Sequence, residues 1–224
     1  MPPNLSQHEQ RVLGCLLEKE VLTPEVYPMT LNSLRLACNQ RTSREPVLDL
    51  DDSEVGAALN TLKGRDLAAA RMDARATKYL HSLAKVAALS QAERAVLTLL
   101  LLRGPQTSGE LRGRAERLHS FNSPAEVEEP LLALAQRPDG AWVQRLPRRP
   151  GEKEARWVHC LDGGAQAEAL AAGPVQGADP ADPDTAALLS RVERLEADLA
   201  SLRRRFDQAG IGIGTGPPSS PDQT

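Results

Sequence analysis

Aromatic residues are scarce in this chain, since Trp, Tyr and Phe together make up 3% of its 224 residues. A core must therefore be built from Leu, Val and Ala, which favours helix bundles and short strands over a large β-sandwich. The sequence also lacks a run of about 18 apolar residues, the length that a membrane-spanning helix needs. Its first ten residues show no basic stretch followed by an apolar one, so a cytoplasmic location is expected.

Cysteine is rarer still, and its three positions, Cys15, Cys38 and Cys160, are far apart in the chain. An odd, scattered set argues against a disulfide framework, and no CxxC pair is present to bind zinc. Cys15 lies among valines and leucines, so we expect it to be a small buried apolar residue. The motifs HExxH, GxSxG and the Walker-type loop are missing as well. The sequence thus predicts no enzyme, no catalytic residue, no cofactor and no metal site.

Charge is distributed unevenly along the chain. Residues 1–85 carry equal numbers of cations and anions, residues 86–160 carry two more cations than anions, and residues 161–224 carry five more anions than cations. None of these stretches is basic enough to indicate a nucleic-acid-binding domain by charge alone.

An internal repeat organises the sequence. Residues 6–17 (SQHEQRVLGCLL) reappear as residues 90–101 (SQAERAVLTLLL). Each copy begins with Ser and places Glu three residues later, a capping box, and each continues as an apolar stripe at helical spacing. Further echoes match residues 54–62 with 126–134, and residues 77–81 with 155–159. The resulting order of helix, helix, helix and two short strands around a loop is that of a winged helix.

The repeat predicts a mostly α fold with small β-hairpins, arranged as two tandem winged-helix domains at residues 1–85 and 86–162. Second helices are predicted over residues 30–40 and 107–118, with Thr107 as a cap. The third helix of the second domain is predicted to begin at Ser123. Ser123 and Glu126 would form a capping box, and Pro124 would occupy the first helical position.

The sequence that follows the second predicted domain begins with a stretch that is poor in large apolar residues. Residues 163–184 are rich in Ala, Gly, Pro and Asp, which indicates a flexible linker. Residues 185–208 predict a short C-terminal helix, and residues 209–224 a disordered tail. Apolar residues of this helix follow a heptad seam that is expected to form a coiled-coil homodimer or to dock on the chain's own body. They are Leu188, Val192, Leu195, Leu199, Leu202 and Phe206.

Four separated blocks carry a family resemblance. They are residues 16–47 (LLEKEVLTPEVYPMTLNSLRLACNQRTSREPV), 75–81 (RATKYLH), 100–112 (LLLRGPQTSGELR) and 150–156 (PGEKEAR). In this order they closely resemble the signature of the YceH-like family, bacterial proteins built as tandem winged helices without an established activity. The resemblance covers nearly everything from Leu5 to Cys160. It implies the tandem winged-helix fold and no catalytic residues, and it does not extend to the linker and tail.

The polar segment, residues 39–46 (NQRTSREP), is the first candidate site. Arg41 and Arg44 could bind phosphates or carboxylates in a bidentate manner, while Asn39 and Gln40 read a base edge or a peptide backbone. The structural alternative is that Asn39 caps a helix end while Arg44 and Glu45 pair locally. The two interpretations are about equally supported, because the alternative explains the cap but not two arginines beside two amides.

The loop of the second predicted hairpin holds the best basic cluster. It comprises Arg145, Arg148, Arg149, Lys153 and Arg156. These side chains could lie against nucleic-acid phosphates or in a minor groove. The alternative, which we slightly favour, is a solvated cationic hairpin partly balanced by Glu152 and Glu154.

Acidic residues crowd the predicted starts of both third helices, the usual DNA-reading elements of a winged helix. Acids there complement the helix dipole, and they would also repel a phosphate backbone. The sequence therefore leaves two functions open. A DNA-binding or transcription-associated protein comes first by analogy with the fold, and a protein-protein interaction module without nucleic-acid binding is the alternative.

Overall fold

The first half of the chain forms helices and one small antiparallel sheet. The structure is a computed structural model that describes residues 2–73, 76–148 and 151–171, with the backbone alone at residues 84 and 85. The elements of this half are α1 (Gln7–Leu22), a 3-10 turn (Pro24–Val26), β1 (Met29–Thr30), α2 (Leu31–Cys38), α3 (Asp52–Gly64), β2 (Ala68–Met72), β3 (Thr77–His81) and α4 (Leu83–Val86). In the sheet, β3 lies between β1 and β2, and Tyr79 of β3 is opposite both Met29 and Ala70.

The second half repeats the succession of three helices and a hairpin. Its elements are α5 (Gln91–Arg103), α6 (Ser108–Ala115), α7 (Pro124–Ala135), β4 (Val143–Arg145), β5 (Trp157–His159) and α8 (Ala165–Ala171). Strands β4 and β5 pair antiparallel, with Gln144 opposite Val158. The backbone of Gln106 adds a bridge to Trp157, with N–O distances of 3.0 and 2.7 Å.

Capping residues determine where the main helices begin. The Ser6 hydroxyl accepts a hydrogen bond from the Glu9 amide while the Glu9 carboxylate accepts one from the Ser6 amide, and Ser90 begins α5 in the same way. These capping boxes and the Thr107 cap of α6 were predicted correctly. At α7 the capping box is incomplete. Ser123 caps the helix, but the Glu126 carboxylate accepts a hydrogen bond from the backbone amide of Asn122 instead of that of Ser123.

Helices α1 and α5 pack against each other in the centre of the core. Every residue from Arg11 to Glu18 is buried, and so is every residue from Ala95 to Leu102. Gly14 allows the close approach, since a Cβ at this position would lie 2.8 Å from Cδ2 of Leu102. The buried stretch of α5 is apolar on all sides except at Thr98, and such a helix must be covered on all sides. The two halves therefore share one core, and residues 1–173 form one compact unit.

The predicted class, mostly helical with small antiparallel hairpins, is confirmed. The linker prediction is wrong for residues 165–171, which form α8. The Asp162 carboxylate accepts hydrogen bonds from the amides of Gly164 and Gln166 at 3.0 and 2.8 Å, which satisfies two N–H groups at this helix start. Ala167 is buried beside β5. The alanines of this stretch favour a helix, because alanine has the highest helix propensity.

The remainder of the predicted linker, the C-terminal helix with its heptad seam and the tail lie outside the described residues. None of the helices in the described ranges is both long and apolar enough to cross a membrane.

Candidate functional site

The polar segment, residues 39–46, leaves the end of α2 and leads toward α3. Asn39 ends α2, and its amide donates to the Arg35 carbonyl at 3.1 Å. The Asn39 side chain makes two hydrogen bonds with the backbone of Leu50. Its Nδ2 donates to the Leu50 carbonyl at 2.8 Å, and its Oδ1 accepts from the Leu50 amide at 2.9 Å. Asn39 thus ends a helix, as the structural alternative predicts, and its side-chain amide closes the connection to α3.

Arg44 is buried, with 0% of its side chain exposed. Its Nη1 and Nη2 atoms donate to the two carboxylate oxygens of Glu18 at 3.0 and 2.6 Å. Nη2 also donates to Oε1 of Gln40 at 3.0 Å, and Nε donates to the Ala37 carbonyl at 3.1 Å. This burial contradicts the prediction that Arg44 binds a ligand at the surface. Local pairing with Glu45 was wrong too, because Glu18 on α1 supplies the carboxylate.

The electrostatics of this pair agree with two charged groups. Burial by itself raises the pKa of the Glu18 carboxyl, but hydrogen bonds and charge from Arg44, with a smaller contribution from Lys19, lower that pKa below its usual value. Burial opposes the charge of Arg44 as well, yet the hydrogen bonds to Glu18 leave the Arg44 pKa above its ordinary value. A bidentate arginine–carboxylate pair is the strong form of this interaction.

Further bonds fasten the polar segment to both halves of the chain. Arg11 of α1 donates to the Pro46 carbonyl at 2.5 Å. Arg103 of α5 donates to the Ser43 hydroxyl at 2.5 Å, and the Glu45 amide donates to a carbonyl of α5 at 2.8 Å. The polar segment thus has mainly a structural role, since it is hydrogen-bonded to both α1 and α5. Within this segment Gln40 serves Arg44, and Arg41 is exposed to solvent.

A polar cleft of about 550 Å³ lies beside the second hairpin. We call it the hairpin cleft. It is bounded by the first turns of α6 and α7 on one side and by the β4–β5 loop on the other. Its lining residues are Ser108, Pro124, Ala125, Glu128, Arg145, Arg148, Lys153, Glu154 and Ala155.

Three of the five cations predicted in this hairpin line the cleft. Arg145, Arg148 and Lys153 are exposed, and the Arg145 guanidinium lies over the Trp157 ring, 6.0 Å from its centroid. Arg156 is engaged elsewhere, and Arg149 lies outside the described residues. The hairpin cleft therefore gathers three cations around one concave surface.

Acidic groups and ion pairs limit the positive charge of this region. Arg156 pairs with Glu110 at 2.9 Å and with Glu152 at 3.5 Å, so its charge is balanced locally. Within the cleft, the Glu128 carboxylate accepts a hydrogen bond from the Ser108 hydroxyl. Glu154 lines the cleft as well, so three cations share this concave surface with two carboxylates.

The acidic residues at the start of α3 bind groups in their own neighbourhood. Asp51 caps the helix and Glu54 completes the capping box. Asp52 pairs with Arg35 at 2.8 Å. The dipole-complementing role suggested by the sequence accounts for these carboxylates.

The repeat-related histidines are buried but have different partners. Nδ1 of His81 accepts from the Leu83 amide at 3.3 Å, so Nε2 carries the proton and donates to Glu20 at 2.8 Å. Burial lowers the pKa of His159, partly offset by the charge of Asp162. Across the described ranges, no three His, Cys, Asp or Glu side chains converge on a point that could hold a metal ion.

Comparison with known proteins gives a consistent result. A family described as "Protein of unknown function, DUF480" matches residues 5–152. A UPF0502 protein of Yersinia pseudotuberculosis is 44% identical over 231 residues, covering 95% of this chain and 99% of the relative. A UPF0502 protein of Klebsiella pneumoniae is 46% identical, covering 92% and 96%. The UPF0502 protein YceH of Salmonella paratyphi A is 43% identical, covering 96% and 100%.

Proposed function

Because this chain belongs to the DUF480 family of proteins of unknown function, we propose a role from its own geometry: a tandem winged-helix protein that binds duplex nucleic acid at the hairpin cleft. Its relatives include a YceH protein, which confirms the resemblance drawn from the sequence. The role is one of binding rather than catalysis, and the expected partner is DNA.

The order of elements supports the winged-helix assignment. Each half runs through three helices and an antiparallel hairpin, and the hairpin cleft lies between the third helix and the hairpin of the second half. In a winged helix, the third helix and the hairpin loop are the elements that usually approach a duplex. A fold by itself does not determine a function, and the support for nucleic-acid binding comes from the side chains of the cleft.

The observation that carries the proposal is the convergence of Arg145, Arg148 and Lys153 on one open cleft. Exposed cations contacting phosphates release counterions, which makes affinity fall with salt. Three such contacts give a slope of about −2.7 in log affinity against log salt, so affinity falls about 40-fold when salt rises fourfold. Base reading is not expected, because the start of α7 is acidic. Binding should therefore tolerate different sequences.

Fluorescence anisotropy with a labelled duplex, measured at two salt concentrations, tests this proposal. The variant Arg148→Ala/Lys153→Ala should weaken binding on the order of tenfold for each cation removed and lower the salt slope by about 1.8. The matched control is Arg71→Ala/Arg117→Ala, which removes the same charge at exposed positions outside the cleft. Equal losses in both variants would mean that net charge, and not the cleft, causes binding.

Protein-protein interaction is the second candidate, and one observation favours it. Leu36 on α2 and Val47 beyond the polar segment are 58% and 55% exposed, which is high for large apolar side chains. Affinity purification from cells, with and without nuclease, separates the two functions. A partner retained after nuclease treatment, together with no measurable duplex affinity, would favour the interaction module.

A further inference from the structure

Two carboxylates lie at the start of α6, inside the hairpin cleft. Oε1 of Glu128 on α7 accepts a hydrogen bond from the hydroxyl of Ser108, the first residue of α6. Oε2 of Glu154, from the β4–β5 loop, lies 3.8 Å from the position that a Cβ on Gly109 would occupy. Both acids therefore reach neighbouring residues of the same helix turn, which we call the helix side of the cleft.

The cations of the cleft come from the hairpin itself, which we call the hairpin side. Arg145 is the last residue of β4, and its guanidinium lies over the ring of Trp157, its partner in β5. Arg148 and Lys153 are exposed in the loop between the two strands. The cleft thus places hydrogen-bond acceptors on the helix side and cationic donors on the hairpin side.

A DNA backbone makes use of only one of these two sides. Its phosphates pair with the cations of the hairpin side, whereas the carboxylates of Glu128 and Glu154 would repel them. A ligand that contacts both sides needs phosphates for the cations and hydroxyl donors for the carboxylates. A nucleotide with a ribose brings both groups, and a carboxylate that accepts a ribose hydroxyl is a recurring contact in nucleotide sites.

The dimensions of the cleft also agree with a small ligand. Its volume of about 550 Å³ lies in the range of roughly 300–1,000 Å³ that is usual for small-molecule sites. Pro124, Ala125 and Ala155 add small apolar side chains to the lining. A flat base can lie against such a surface without a specific hydrogen bond, so the identity of the base should matter little.

We propose that the hairpin cleft binds a free ribonucleoside polyphosphate, which competes there with duplex DNA. The phosphates pair with Arg145, Arg148 and Lys153, and the ribose hydroxyls donate to Glu128 and Glu154. The competition rests on the proposed function, because it requires that DNA binds in the same cleft. The binding of the nucleotide itself does not require DNA.

The shared cations make the nucleotide a regulator of DNA binding. The phosphates of both ligands need the same hairpin side, so the two cannot be bound at once. By mass action, a nucleotide concentration equal to its Kd raises the apparent Kd for the duplex about twofold, and a tenfold higher concentration raises it about elevenfold. DNA affinity is therefore expected to follow the nucleotide concentration.

Calorimetric titration of the full-length chain with three ligands tests the nucleotide site. The ligands are ATP, 2′-deoxy-ATP and inorganic tripolyphosphate, all without divalent cations. Tripolyphosphate carries at least as much negative charge as ATP but has no ribose. The chain should bind ATP about tenfold more tightly than tripolyphosphate, because hydroxyl bonds to charged acceptors add to the phosphate contacts. The affinity for 2′-deoxy-ATP should lie between the two.

The variant Glu154→Ala separates the two sides of the cleft by the sign of its effect. ATP should bind about five- to tenfold more weakly, because an acceptor for the ribose is lost. Tripolyphosphate should bind roughly two- to fivefold more tightly, because a repulsive charge is gone. Arg148→Ala should weaken both. The matched control Glu116→Ala removes an exposed carboxylate outside the cleft and should leave the ratio of the two affinities unchanged.

Two results would overturn the nucleotide site, and the first needs no variant. The wild type would bind ATP no more tightly than tripolyphosphate, which would mean unspecific attraction of polyanions. Alternatively, Glu154→Ala with wild-type circular dichroism would shift both affinities in the same direction.

A competition experiment distinguishes this inference from the proposed function. Saturating ATP should displace a labelled duplex, and a duplex that stays bound would overturn the competition. If ATP binds as expected but no duplex affinity is measurable, the proposed function fails and the nucleotide site stands. If the duplex binds in the cleft and ATP does not bind, this inference fails alone.

Discussion

Removing the carboxylate that neutralises Arg44 should destabilise the protein far more than a typical side-chain change. Glu18→Gln keeps the size of the side chain but leaves the Arg44 guanidinium, which is 0% exposed, without a counter-charge. Breaking a buried ion pair from one side costs about 3–5 kcal/mol. Glutamine still offers one acceptor oxygen, so we expect about 3 kcal/mol, a large fraction of the roughly 5–15 kcal/mol that stabilises a typical domain.

Urea unfolding of the full chain measures this loss. A free-energy change of about 3 kcal/mol should lower the midpoint by roughly 1–1.5 M and the melting temperature by roughly 6–12 °C. The control is Arg35→Gln, which breaks the Arg35–Asp52 ion pair of 2.8 Å, with side chains 32% and 62% exposed. An exposed pair contributes about 0–1 kcal/mol. Losses of equal size in the two variants would refute the reasoning.

A double-mutant cycle tests whether the cost arises from the unpaired charge. Glu18→Leu/Arg44→Met replaces both partners with apolar side chains, and such exchanges are often close to neutral. The double variant should therefore be more stable than either single one. If its loss equals the sum of the single losses, the pair is not coupled and packing explains the effect.

Three further predictions address the core, the pH dependence and the polar segment. Gly14→Ala should cost about 1–2 kcal/mol in urea unfolding, because its methyl would lie 2.8 Å from a leucine of α5, whereas Gly56→Ala, with no atom near its Cβ, should gain about 0.5–1 kcal/mol. The lowered pKa of Glu18 stabilises the fold above its unfolded-state pKa of about 4.5, so this contribution should disappear as pH falls below that value, and Glu18→Gln should lack that part of the pH dependence. Asn39→Ala removes hydrogen bonds of 2.8 and 2.9 Å to Leu50 and should cost about 1–3 kcal/mol, with faster hydrogen exchange at the Leu50 amide; unchanged exchange would contradict the assigned role.

Local features of this fold could be predicted from the sequence because their causes are local. Ser6 and Ser90 each cap a helix through a glutamate three residues away, so both partners are visible in one short stretch. The strand segments also lie where the repeat indicates, at residues 77–81 and 157–159. The apolar run of α5, interrupted by Thr98, is equally visible in the sequence, and such a helix needs cover on every side.

The role of the polar segment could not be predicted, because its partners are distant in the sequence. Arg44 pairs with Glu18, 26 residues earlier, whereas the sequence drew attention to the adjacent Glu45. A run of donors on a predicted connector looks the same whether it faces solvent or a buried carboxylate.

The contact between α1 and α5 also constrains how the protein is made. During translation α1 leaves the ribosome before residues 97–102 have been added to the chain, so one side of α1 has no cover at that stage. Co-expressed fragments cut near residue 86 should accumulate together and be degraded singly. The chain could thus serve as a split reporter, in which signal appears only when both pieces are present.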